Sequence, residues 1–110
     1  LVADPVVAQA LRFIREYACD GISTDDILQH VPVSRSTLQR RFRAILGRTV
    51  HDEILRIRLR RVCELLARSD LPIEVISDKA GFTHRQYLGA VFKEKMGITL
   101  AEYRRQMQRR

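Results

Sequence analysis

Two rows of side chains in this 110-residue chain have the types and spacing to read a nucleic acid rather than to make or break bonds. Arg35, Ser36, Gln39 and Arg40 fall at i, i+1, i+4 and i+5, and Arg85, Gln86, Gly89 and Ala90 repeat that spacing fifty residues later, so each set lies on one side of a helix. An arginine can grip O6 and N7 of guanine and a glutamine can pair with N6 and N7 of adenine, each good bidentate contact giving about 1–3 kcal/mol of discrimination. Ala90 can touch a thymine methyl, while Gly89 permits only close approach. The expected base contacts are therefore Arg35, Ser36, Gln39 and Arg40 in the first row and Arg85, Gln86 and Ala90 in the second. Thr37, Arg43, Arg48, Thr83, His84, Tyr87 and Lys93 stand at cap or flank positions, where phosphate contacts usually arise. The first row carries more hydrogen-bonding groups and is expected to supply more of the sequence preference. Rival roles exist. Thr83 and Gln86 can form a T-x-x-Q capping box, Tyr87 can belong to the core with its hydroxyl near the surface, and Arg41, Arg43 and Arg48 can attract phosphate at any sequence.

These rows need helices to hold them, and the pattern supplies seven. Asp4-Pro5 opens the first, with an apolar stripe from Val6 through Val7, Ala10, Leu11 and Ile14 to Ala18, and Gly21 closes it. Ser23 with Asp26 caps a short helix with Ile27, Leu28 and Val31 inward, which Pro32 stops. Ser34 caps a helix over 34–46, with Leu38, Phe42, Ile45 and Leu46 inward, and Gly47 ends it. Thr49 with Asp52 opens the longest element, over 49–70, apolar at Val50, Ile54, Leu55, Leu59, Val62, Leu65 and Leu66. Pro72 begins a short helix with Ile73, Ile76 and Ala80 inward. After a turn at Gly81-Phe82, a helix over 83–96 carries Tyr87, Leu88, Val91, Phe92 and Met96 inward. Thr99 with Glu102 caps the last helix, with Leu100, Tyr103 and Met107. The terminal Arg109-Arg110 reads as a frayed, solvated end.

Offset by fifty residues, the chain matches itself at Leu38 and Leu88, Phe42 and Phe92, Gly47 and Gly97, and Thr49 and Thr99; upstream of the turn the better offset is forty-nine, pairing Ile27 with Ile76. Two short helices about a tight turn, present twice, predict an all-α chain of two helix-turn-helix subdomains: 1–48 with the first helix as brace, 49–70 as linker helix, and 71–110. A linker of some twenty residues spans roughly 30 Å, close to one turn of B-DNA. The helices over 34–46 and 83–96 are expected to enter successive major grooves.

Composition agrees. The net charge of +7 and pI near 10.2 point to a polyanionic partner, and the bases concentrate after residue 34: five acids and two bases in 1–34, four acids and ten bases in 35–70, four acids and eight bases in 71–110. No apolar run approaches a membrane span and no signal peptide opens the chain, so a cytoplasmic protein with no membrane partner is expected. Cys19 and Cys63 lie far apart in helical patterns and His30, His51 and His84 are scattered, which predicts core thiols and no metal or cofactor. No phosphate loop, nucleophile with its base, or convergent carboxylate pair appears, so no enzyme is expected. A non-specific nucleic-acid-binding or packaging module is the alternative; it shares the charge but needs neither duplicated caps nor a linker of matched length.

From Leu71 to Arg104 the chain resembles the signature of the AraC/XylS transcription regulators, carried by Gly81-Phe82, Phe92-Lys93, Gly97 and Tyr103-Arg104; Arg58-Leu59 and Leu65-Leu66 extend the likeness over most of the chain. Leu100 departs from the family's usual proline, Leu88 from phenylalanine, and Ser77 and Val62 from alanine, all changes that a core can repack. The resemblance implies a double helix-turn-helix DNA-binding domain, with the positions of Ser36, Gln39 and Arg40 entering the groove. Within the family, Ala18-Cys19-Asp20-Gly21-Ile22 and 33–38 are similar to regulators of xylose use. It further implies a missing N-terminal effector or dimerisation domain, in keeping with a chain that opens on Leu, and an activator that touches RNA polymerase; the helix patterns leave over no apolar stripe for a dimer, so a monomeric fragment is expected. No residue marks the polymerase surface; Asp25, Asp26, Glu74 and Asp78 are exposed acids.

Overall fold

The computed structural model describes residues 2–109, which form seven α-helices and no strand: α1 Pro5–Tyr17, α2 Thr24–Leu28, α3 Arg35–Leu46, α4 Val50–Arg68, α5 Ile73–Lys79, α6 Arg85–Met96 and α7 Leu100–Met107. Arg110 lies outside the described residues. The helix starts show the repeat in three dimensions: α2 and α5 begin forty-nine residues apart, α3 and α6 fifty. The chain divides into two compact units, one taking the chain up to Ala18 with Ile22–Ile57, the other taking Cys19–Gly21 with everything from Arg58.

In the first unit α1 starts where Asp4 accepts hydrogen bonds from the Val6 and Val7 amides, at 2.9 and 3.2 Å, with Pro5 supplying a helical φ and no orphan donor. Its stripe of Val7, Ala10, Leu11 and Ile14 packs with Ile27 of α2 and Leu38 and Phe42 of α3 into the core. A 3₁₀ turn, Ala18–Asp20, carries the chain on to Gly21. Asp26 accepts from the Ser23 amide at 2.8 Å to cap α2. That helix ends at Leu28 rather than at Pro32, and Val31 reaches the core from the turn. Ser34 accepts from the Thr37 amide at 3.3 Å to start α3, and Gly47, at φ +73°, ends it by donating to the Arg43 carbonyl.

In the second unit Leu59, Val62 and Leu66 of α4, Ile76 and Ala80 of α5, Phe82 of the turn, and Leu88, Val91 and Phe92 of α6 form the core, with the Tyr103 ring edge-on to Phe92 at 5.6 Å. Thr99 and Glu102 cap α7 reciprocally, amide to carboxylate at 2.8 Å and amide to hydroxyl at 3.1 Å. Arg104 and Gln108 donate to the Leu66 and Ser69 carbonyls at 2.9–3.3 Å, satisfying acceptors that the end of α4 leaves open.

Several expectations need correction. Ile45, Tyr87, Met96 and Met107, expected inward, are 43–48% exposed. Each lies in the first or last turn of its helix, the first three beyond the i, i+4 pairs Leu38/Phe42 and Leu88/Phe92 that carry the packing of α3 and α6, and Met107 at the end of α7, which buries no residue fully; periodicity identifies a face but not how far a neighbour covers it. Helix α6 begins at Arg85, not Thr83, and its N-cap is His84 with no side-chain bond. Gln86 is then the second helical residue, out of register for a box with Thr83. Ile57 and Glu53 of α4 are buried, neither foreseen.

Candidate nucleic-acid interface

On the first unit α3 presents Arg35, Ser36, Gln39, Arg40 and Arg43, all exposed. Arg35 pairs with Asp25 of α2 through one terminal nitrogen. Thr37 is half-buried and its hydroxyl is 3.0 Å from that of Ser34, so its polar groups serve the cap first. Arg48 lies 3.3 Å from the carboxylate of Glu53, which is 1% exposed and also receives a two-pronged bond from Arg56 at 3.0 and 2.7 Å. Arg48, expected at the phosphates, is thus also half of what neutralises a buried acid. Arg41 turns toward Asp4, at 3.8 Å. A groove of about 500 Å³ runs along this face, lined by Gln39, Arg40 and Arg43 together with Thr24, Thr49, Val50 and His51. Thr24, Thr49 and His51 were not singled out as contacts, because they belong to the starts of α2 and α4 and reach the α3 face only through the fold.

On the second unit α6 presents Arg85, Gln86, Ala90 and Lys93, with Thr83, His84 and Tyr87 exposed before or within its first turn. Gln86, freed of any capping role with Thr83, is open on the surface. The Tyr87 ring lies 6.2 Å from that of Phe82. Arg85 reaches Glu74 of α5 at 3.2 Å, in the position that Arg35 and Asp25 occupy in the first unit. Gly89 is half-buried mid-helix, yet a Cβ placed on it meets nothing within 4 Å. The acids Asp25 and Glu74 were read only as exposed charges, although the offset of forty-nine already aligned them.

The two cysteines are free and half-buried. Burial pushes the Cys19 and Cys63 thiols up from their ordinary value, against the pull of nearby arginines at Cys19 and of the Tyr103 hydroxyl at Cys63. Among the described residues no group of three or more His, Cys, Asp or Glu converges as a metal site, and no helix is long and apolar enough to cross a membrane.

Comparison with known proteins bears on the family and the fold. Residues 27–106, well over half of the chain, match the family described as "Helix-turn-helix domain". The Escherichia coli K12 xylose operon regulatory protein is 40% identical over 103 residues, which cover 94% of this chain and 26% of that protein. A solved structure of a xylose-binding transcription activator superposes with a TM-score of 0.79 at 40% identity, over 94% of this chain and 27% of the other. A regulator from Chromobacterium violaceum, described among proteins containing an AraC-type DNA-binding domain, gives a TM-score of 0.83 at 30% identity and is covered over 92% of its length. This chain thus spans about a quarter of the xylose regulators it matches and nearly all of the third structure.

Proposed function

Since the chain belongs to the AraC-type helix-turn-helix DNA-binding domains of transcription regulators, we propose that it reads double-stranded DNA with α3 and α6, each laid in a major groove and the two joined by α4. The observation that carries this is the duplicated unit: in both copies a short helix, a tight turn and a second helix present an exposed polar row at the same spacing. Ser36, Gln39 and Arg40 on α3, and Gln86 and Ala90 on α6, face the base edges, led in each copy by Arg35 or Arg85. Arg43, Lys93, His84, Thr83, Tyr87, Arg48 and Thr37 flank them toward the phosphates, Arg48 and Thr37 through groups that their structural bonds leave over. His51 and Thr24 join this set through the groove on the first unit.

In the longer protein the domain serves a cytoplasmic regulator with an N-terminal effector or dimerisation part, an activator of xylose use that contacts RNA polymerase; the domain alone is a monomer. The likeness to xylose regulators over 94% of the chain supports the effector assignment, and operator affinity of the full-length protein that is unchanged by added xylose would sink it.

The test of DNA reading is selection from random duplexes at about 150 mM salt, where non-specific attraction is already weakened. Two enriched blocks spaced by 10–10.5 bp, one helical turn, are expected if both helices insert. A single block would leave one unit as an anchor. No enrichment, with affinity collapsing as salt rises, would favour the non-specific packaging alternative.

A further inference from the structure

One ion pair recurs in both units at equivalent places. The guanidinium of Arg35, first residue of α3, pairs with Asp25 of α2, and that of Arg85, first residue of α6, with Glu74 of α5. All four side chains are open to water, the arginines about half and the acids about three quarters exposed. Pairs so exposed add little to stability, so folding alone does not explain why the arrangement appears twice. Each contact uses one terminal nitrogen, Nη2 of Arg35 and Nη1 of Arg85, out of five N–H donors on a guanidinium.

We propose that Asp25 and Glu74 are specificity-determining buttresses, which cancel the charge of the leading arginine of each recognition helix while leaving its remaining donors aimed at a guanine edge. The inference rests on the DNA-reading function above. An unpaired arginine at the start of a recognition helix is drawn to any phosphate, and phosphates lie beside every sequence. A carboxylate one bond away removes that attraction, because the pair is neutral and the acid repels the backbone. Guanine O6 and N7 are neutral acceptors whose bonds depend on direction, so they lose little when the charge is cancelled and gain from a guanidinium already held in place. The acid therefore lowers binding to wrong sequences more than binding to the right one.

The experiment compares a selected duplex with a scrambled one across a salt series, using Asp25→Asn, Glu74→Gln, Arg35→Ala and the double variant D25N/R35A. Glu16→Gln, exposed on α1, changes the net charge equally and serves as the control. Asp25→Asn and Glu74→Gln are each expected to raise affinity for scrambled DNA about fivefold at about 150 mM salt and to steepen its salt slope by about 0.9, the signature of one more phosphate contact. Affinity for the selected duplex rises less than twofold or falls. Arg35→Ala alone lowers scrambled binding, because it leaves Asp25 unpaired against the backbone, and D25N/R35A, which keeps neither charge, returns it to the parental value. Thermal midpoints confirm that every variant folds. Asp25→Asn and Glu74→Gln behaving like Glu16→Gln, or D25N/R35A keeping the gain of Asp25→Asn on scrambled DNA, would overturn the proposal while leaving DNA reading intact. A parental chain that selects no sequence defeats the DNA reading, and this proposal with it, before any variant is compared.

Discussion

Gly89 has no reason within the fold to be glycine. It sits inside α6, where glycine costs about 0.5–1 kcal/mol relative to alanine, and a Cβ there meets nothing within 4 Å. Close approach to DNA is the demand that the proposed function would place on it. Gly89→Ala is expected to raise stability by about 0.5–1 kcal/mol in thermal unfolding and to weaken binding to the selected duplex about tenfold, the roughly 1.4 kcal/mol that one lost close contact represents. A gain in both would remove the need for close approach. The neighbouring rows differ: Gln39 and Arg40 face outward where the second unit has Gly89 and Ala90. Arg40→Ala is thus expected to relax preference at one base by about 1–3 kcal/mol in competition binding, and Arg85→Ala to relax it less. Equal effects would refute the asymmetry between the units. These outward rows were legible because exposure on a helix follows period. The partners of Arg35, Arg85 and Arg48 were not, since Asp25, Glu74 and Glu53 meet them only through the packing of the elements, and a glutamate in the first turn of α4 reads as an ordinary solvated acid.

At the scale of the element, the starts of the two recognition helices differ. Ser34 caps α3, whereas His84 at the head of α6 makes no side-chain bond. Ser34→Ala is expected to lower stability by about 1 kcal/mol and His84→Ser to raise it by a similar amount, both read from denaturant midpoints; an unchanged midpoint for His84→Ser would mean that water serves those amides as well. Helix α7 adds a pH dependence. The Thr99 backbone amide, then its hydroxyl, hold the Glu102 carboxyl below its ordinary value of 4.5, with Lys93 and Arg105 assisting. Because the folded value is the lower one, this contribution is fully present above the ordinary carboxylate range and is lost as pH falls below it. Stability should therefore decline on the acid side, and Glu102→Gln should flatten that limb without changing its slope near neutrality. Caps and closing glycines were readable from sequence because they are local: Ser23, Ser34, Thr49 and Thr99 sit where short-range chemistry requires. The start of α6 was not, because the turn decides it. The Phe82 amide bonds the Ser77 carbonyl at 2.9 Å with Gly81 at φ +91°, and this turn leaves Thr83 outside the helix.

For the whole molecule the charge of +7 makes attraction to any DNA certain in sign, so affinity alone does not test the function. Its salt dependence does. Of the basic groups proposed to face the phosphates, Arg43, Lys93 and Arg40 carry a full charge and Arg48 shares the Glu53 carboxylate with Arg56, which leaves that cluster one net positive charge, while Arg35 and Arg85 are each paired with an acid of their own. Some four phosphates neutralised give a slope of log affinity against log salt near −3.6, and so a loss on the order of a hundredfold between 50 and 200 mM salt. On a scrambled duplex that loss exhausts binding, because no other term supports it. On the selected duplex the base contacts of α3 and α6 persist, and the ratio of selected to scrambled affinity should stay above about a thousandfold at 150 mM salt. A slope nearer −9 would mean about ten phosphate contacts, more than half of the eighteen bases that follow residue 34. Such a value would contradict the division into reading and anchoring residues, whereas a slope of −3 to −4 with a high ratio is what that division predicts.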